Sequence, residues 1–264
     1  MNLYTFDRYL HQVSPIHRLD PRVKVVLTLL IILSNAWLPD GAWLAYLAGW
    51  CLLLGISYAA HITPATLLKR SLIVIPFMLA AVTLIFTYPG KALVQGHIGQ
   101  WAWQISDAGL IRFASIFWRS WLSVQAAILL TTTTQFPDLM HALSHLRVPG
   151  ILVNIISFMY RYLTVLADEV LRLIRARAAR AAAVPHMRSG GSLWWRAQVT
   201  GHMVGQLFVR SLERSERVYE AMVARGYRGT LQVMHPHVLT RRDVWWGAGG
   251  VCLLILLQVL GHWS

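Results

Sequence analysis

VWWGAGGVCLLILLQVLGH, residues Val244–His262, contains no Asp, Glu, Lys or Arg. A helix that crosses the hydrocarbon of a bilayer needs about 20 mostly apolar residues, within a range of roughly 17 to 25. This run has that length and character. The rest of the chain agrees with it. Of 264 residues, 56% are hydrophobic and 13% are charged, and the mean hydropathy is +0.50. Soluble domains carry about 25% charged residues, so the composition describes an integral membrane protein of helices.

Three further runs have spanning character: Val23–Leu38, Gly41–Ala60 and Ser71–Tyr88. A fifth, Phe113–Thr134, carries Arg119, which points to a partner inside the bundle rather than to lipid. Pro39-Asp40 makes the turn between the first two spans. The segment Ile151–Ala167 has spanning length but holds Asn154 and Arg161. It is expected to lie partly in the membrane or to pack under the other spans. Cys51 and Cys252 both sit in apolar runs, which argues against a disulfide scaffold and a zinc site. The first 22 residues are too charged for the apolar core of a cleaved signal peptide.

The distribution of Lys and Arg sets the orientation. Arg8, Arg18, Arg22 and Lys24 precede or open the first span, and Lys69 and Arg70 follow the second. Eleven Arg fall between Arg172 and Arg228, whereas Pro89–Asp107 has one Lys, beside the interface-type residues Trp101 and Trp103. The expected topology is five spans, with the N-terminus inside and the C-terminus outside. Three regions follow: 1–135 with the first four spans, 136–230 as a cytoplasmic helical insertion, and 231–264 with a loop and the last span. The formal charge of +13 is thereby largely explained by the cytoplasmic face.

Within the insertion, Phe136–Leu146 opens on Pro137 and Asp138, a good helix entrance. Pro149-Gly150 separates it from a second helix, expected from about Ile151 to Ala183 and ending near Pro185. After the loop HMRSGGS, a third helix is expected from Leu193 to Gly226. Its apolar stripe is read as Val204, Phe208, Leu212, Ser215, Tyr219 and Met222. Gly226 is expected just past the helix end, since glycine takes the left-handed conformation cheaply. Both long helices close on Ala-Arg-small: Ala179, Arg180 and Ala181 in the second, Ala224, Arg225 and Gly226 in the third. Arg suits a docking role because its planar fork binds carboxylates in a bidentate way.

Three motifs in this order resemble those of a known family. RSLERSERVYEAMVARGYRG (Arg210–Gly229), SPIHRLDPRVK (Ser14–Lys24) and TTTTQFPDLMHALSHLRVP (Thr131–Pro149) are similar to the signatures of the transmembrane T component of energy-coupling factor (ECF) transporters, closest to the cobalt/nickel-type branch. The resemblance covers nearly the whole chain. It implies a non-catalytic scaffold joining two ABC-type ATPase subunits to a membrane substrate-binding S component, in the cell membrane. It further implies that the two Ala-Arg-Gly motifs dock on the ATPases. Here the first has Ala181 in place of Gly, and Arg177, one turn earlier, is a candidate to share its role. The chain itself would need no cofactor and hold no metal; ATP and Mg belong to the partner ATPases.

Other readings are weaker. His141 and His145, four apart, could face one metal, but no H-E-x-x-H pattern accompanies them. His235-Pro236-His237 has no Cys or carboxylate close in sequence. There is no P-loop. Asp20-Pro21-Arg22 reads as a helix cap with Pro at the first helical position. A membrane-embedded transferase would need a carboxylate cluster, and the eleven acidic residues are spread along the chain. A nucleic-acid binder would need stacking platforms that the Arg-rich helices lack.

Overall fold

Asp20 begins the first helix. Its carboxylate accepts the backbone N–H of Arg22 at 2.8 Å, and Pro21 takes the first helical position, where a missing N–H costs nothing. The computed structural model describes residues 12, 14–87, 89, 91–98, 101–180, 192–229 and 239–263. Ala181, the stop near Pro185 and the His235–His237 loop fall outside these residues. Ten helices are described: α1 Pro21–Trp37, α2 Trp43–Ala59, α3 Pro64–Ser71, α4 Ile75–Ala81, α5 Thr83–Thr87, α6 Asp107–Thr133, α7 Phe136–His145, α8 Gly150–Arg180, α9 Leu193–Ala224 and α10 Arg241–Trp263. The protein is an all-α integral membrane protein with one addition, an antiparallel hairpin of β1 Ala92–Ile98 and β2 Trp101–Ser106. The hairpin occupies the segment expected to be a plain loop. The alternation of Trp101, Trp103 and Ile105 is its sequence signal.

Among the described residues four helical stretches are long and apolar enough to cross a membrane: Pro64–Phe86, Asp107–Thr133, Gly150–Arg180 and Arg241–Trp263. The expected first and second spans, α1 and α2, have 17 residues each, so each is about 25 Å long. The third span is not the single helix Ser71–Tyr88. It starts at Pro64 and is broken: a 3-10 turn over Leu72–Val74 separates α3 from α4. Pro76 is the cause, because its ring clashes with the carbonyl four residues back, at Leu72, and it has no N–H to give.

The chain divides into two compact units, Met1–Leu146 with Pro236–Ser264, and Arg147–His235. In the first unit, α2 buries Ala45, Gly49, Leu53 and Ser57 at four-residue spacing, together with Tyr46. These meet Leu122, Ala126 and Leu129 of α6 in one core. Small residues on facing helices allow this approach. At the start of α6, Ser106 caps Gly109 N–H at 3.0 Å. A Cβ on Gly109 would lie 3.0 Å from the carbonyl oxygens of Leu84 and Ile85, so the crossing of α5 and α6 needs glycine there.

Arg119 has the partners its position required. Its Nη2 pairs with the Asp40 carboxylate, its Nε donates to Tyr46 Oη at 3.0 Å, and Tyr46 donates on to the Pro39 carbonyl at 2.9 Å. Ser115 Oγ accepts Gly41 N–H at 3.0 Å. The α1–α2 turn is thus tied to α6. Arg119→Leu is expected to destabilise the protein by about 2–3 kcal/mol, since charge-assisted bonds are lost and Tyr46 stays buried. A double-mutant cycle with Asp40→Ala, read by thermal unfolding in detergent, should show the two losses to be strongly non-additive.

In the second unit α8 and α9 run antiparallel. Arg177 Nη1 donates to Thr200 Oγ1 at 3.1 Å near one end, Arg210 pairs with Glu169 at 2.9 Å midway, and Asn154 Nδ2 donates to the Gly229 carbonyl at 2.8 Å near the other end. Ser192 caps α9 through Trp195 N–H. The stripe read from the sequence is shifted by one residue over most of its length. The partly buried residues of α9 are Val199, Met203, Leu207, Ser211, Arg214, Val218 and Met222. Val204 and Phe208 are 61% and 67% exposed. Two adjacent apolar rows, Met203/Leu207 and Val204/Phe208, fit the helical period equally, and the pairings to α8 select the first.

Candidate functional site

Arg180 is the last residue of α8 and Arg225 the residue that closes α9. Both are exposed. Among the described residues neither has an ion-pair partner. Ala179, Ala224 and Gly226 are exposed beside them. Arg177 differs: it is partly buried and its guanidinium is engaged by Thr200.

The end of α9 is built by its sequence. Gly226 has φ +83°. Gly226 N–H donates to the Val223 carbonyl at 2.9 Å and Tyr227 N–H to the Met222 carbonyl at 3.0 Å. These are the two bonds of a Schellman cap. They stop the helix at Ala224 and leave Arg225 projecting at its negative dipole end, where a cation is favoured. Nothing lies within 4 Å of a Cβ placed on Gly226. The glycine is therefore needed for its backbone angle rather than for space. Gly226→Ala should cost about 1–2 kcal/mol of local stability. Hydrogen exchange at the Tyr227 amide is the readout, and it should quicken while the α8 amides stay unchanged.

The two motifs do not come together. Asn154 is level with Gly229, and Arg180 lies 26 residues further along α8. At 1.5 Å per residue this places Arg180 and Arg225 about 40 Å apart along the helix pair. They are two separate exposed helix ends, not one joint site.

The SPIHRLDPRVK stretch builds a different feature, in the first unit. Lys24 is 9% exposed and donates to two carbonyls, His17 at 3.1 Å and Thr133 at 3.0 Å. The carboxylates of Asp138, Asp20 and Asp243 attract it. Asp243 Oδ2 accepts both Thr240 N–H at 3.0 Å and Thr240 Oγ1 at 2.6 Å, while Oδ1 accepts Asp20 N–H at 3.3 Å. One carboxylate therefore serves the entrance of α10, in a capping-box arrangement, and also the entrance of α1. Arg22 Nη2 donates to His141 Nε2 at 3.3 Å, and Ser14 Oγ meets His17 Nδ1 at 2.7 Å. This junction joins α1, the end of α6, α7 and α10. In the sequence Lys24 counts only as a charge opening the first span, and Asp243 does not stand out; the Thr240–Asp243 spacing of a capping box is the available signal.

The histidine pair has a structural account. His141 accepts from Arg22, and His145 Nδ1 lies 3.1 Å from the His141 carbonyl oxygen. Among the described residues no group of three or more His, Cys, Asp or Glu could hold a metal ion.

A broken-span helical bundle with a basic helical hairpin, each hairpin helix ending on an exposed Arg, is the class of protein defined so far. The profile of the family "CbiQ: Cobalt transport protein" matches residues 12–236. The chain belongs to this family, the transmembrane T components of ECF transporters. It is 28% identical to the energy-coupling factor transporter transmembrane protein EcfT of Lacticaseibacillus paracasei, over 98% of this chain and 99% of that protein. It is 31% identical to the EcfT of Brevibacillus brevis, over 97% of this chain and 96% of that protein. A putative fused cobalt transport protein CbiMQ of Methanocorpusculum labreanum is 25% identical over 83% of this chain and 36% of its own length.

Proposed function

We propose that this chain couples ATP hydrolysis in two ABC-type ATPase partners to a membrane substrate-binding S component, for uptake of cobalt or nickel ions. The observation that carries the reading is the pair of exposed arginines closing α8 and α9 about 40 Å apart, neither with an ion-pair partner among the described residues. That spacing suits two separate protein partners better than one. Each guanidinium would enter a groove on one ATPase and pair with a carboxylate there. ATP and Mg are held by those partners, and the chain is a non-catalytic subunit. Closure of the ATPases would move the two opposite ends of the helix pair and tilt the long helices. The long helices, stiffened by the Glu169–Arg210 and Arg177–Thr200 links, would pass that motion to the spans and so to the S component. In this account the N-terminus is cytoplasmic and the hairpin lies along the cytoplasmic face of the membrane, its apolar side against lipid, where the excess of Arg is favoured. The fused CbiMQ relative and the cobalt name of the family favour a transition-metal cargo.

Uptake of labelled Co²⁺ by cells lacking this chain, with and without its restoration, tests the cargo. Restored uptake that Ni²⁺ competes away supports the reading. Unchanged Co²⁺ and Ni²⁺ uptake in the deleted cells excludes both metals as cargo and leaves the coupling role to be judged by its own partners.

A further inference from the structure

A groove of about 470 Å³ runs between α8 and α9 in the second unit. That is within the roughly 300–1,000 Å³ of small-molecule sites. Its walls are almost wholly apolar: Ile155, Phe158, Met159 and Leu166 from α8, Val218 and Met222 from α9. Arg214 also lines it. Arg214 is partly buried, and among the described residues it has no ion-pair partner. The other arginine of α9 that faces α8, Arg210, has Glu169. A cation held in an apolar cleft without a counter-charge is costly, and an incoming anion offsets that cost. Three phenols, Tyr162, Tyr219 and Tyr227, also line it, with Ser211 and Ser215. Asn154 Nδ2 donates to Tyr227 Oη at 3.4 Å, which leaves the phenol hydrogen to donate elsewhere.

We infer that the groove binds one anionic phospholipid, its acyl chain along the apolar walls and its phosphate on Arg214. Three features select a lipid over a protein segment. The wall supplied by α8 belongs to a helix long and apolar enough to cross a membrane, so acyl chains are the medium beside it. Tyrosines bordering an apolar cleft are the arrangement favoured at headgroup depth. The single unpaired charge is positive, and guanidinium pairs with phosphate in a bidentate way. The bound lipid fills the space between the two helices and keeps their relative geometry while their ends are loaded.

The test uses the full chain, purified in mild detergent, stripped of lipid and offered equal amounts of phosphatidylglycerol and phosphatidylcholine. Bound lipid is counted by native mass spectrometry. Wild type should retain one phosphatidylglycerol with about tenfold preference, the size of one charge-assisted bond. Arg214→Ala should bring the preference close to unity, Arg214→Lys should restore part of it, and Arg217→Ala, exposed and outside the groove, should leave it unchanged. Val218→Trp, which fills the groove, should abolish retention of both lipids; circular dichroism checks that each variant keeps its helices. The proposal is overturned if wild type shows no preference, if Arg214→Ala and Arg217→Ala behave alike, or if a co-purified membrane partner occupies the groove and excludes lipid.

Discussion

Cobalt uptake is expected to fall to background when Arg180 and Arg225 are both replaced by alanine, and to fall only partly when either is replaced alone. This is the largest functional effect expected. Each arginine is exposed and lacks an internal ion-pair partner among the described residues, so its removal leaves the fold intact. Truncating one side of a desolvated, charge-assisted pair across an interface costs roughly 2–5 kcal/mol. The two sites are about 40 Å apart along the helix pair, with no shared partner. Independent sites at such separation add within about 0.5 kcal/mol. The affinity losses of the single variants should therefore sum to that of the double variant. Uptake that persists undiminished in the double variant contradicts the docking role of both residues. Arg177→Ala is expected to be mild, because its guanidinium already serves Thr200 within the hairpin.

Lys24→Met should destabilise the first unit by about 3–5 kcal/mol, since two charge-assisted hydrogen bonds of about 1.5–3 kcal/mol each are lost. Lys24 holds the His17 and Thr133 carbonyls, and it balances Asp20, Asp138 and Asp243. Methionine fills much of the volume but provides neither bond nor charge. The Thr133 carbonyl, at the end of α6, would lose its donor inside the protein. Thermal unfolding of the full chain in detergent reads the loss. Asp243→Ala should show a smaller defect of about 1.5–3 kcal/mol, since bonds to a carboxylate vanish from two helix entrances. An unchanged melting temperature in Lys24→Met would show that this polar junction does not hold the bundle together.

Much of the local structure was legible because it depends on neighbouring residues. Asp20 before Pro21 is a cap by its own chemistry, and Gly226 after Ala224-Arg225 ends a helix through its left-handed backbone. The need of Arg119 for a partner followed from an arginine in an apolar run, although Asp40 and Tyr46 as the partners did not. The break in the third span was also written locally, in Pro76, but the strong apolar signal around it masked the interruption. What the sequence could not reveal is non-local. Asp20 and Asp243 are 223 positions apart, and no pattern in one stretch names the other. The rotation of α9 was ambiguous because Met203/Leu207 and Val204/Phe208 are both apolar rows, and only the contacts from α8 choose between them. The antiparallel course of the long helices, which puts the two Arg motifs at opposite ends, is likewise a property of their pairing. The same spacing of motifs in the chain is compatible with a single joint site.

The coupling claim is tested most directly by affinity purification of the tagged full chain from its native membranes in gentle detergent, beside Arg180→Glu/Arg225→Glu, with co-purifying proteins identified by mass. The account predicts two ABC-type ATPase subunits with the wild-type chain and their loss from the double variant, while the membrane substrate-binding partner remains. Wild-type chain recovered without any ATPase, or an ATPase complement unaffected by reversing both arginines, would contradict it.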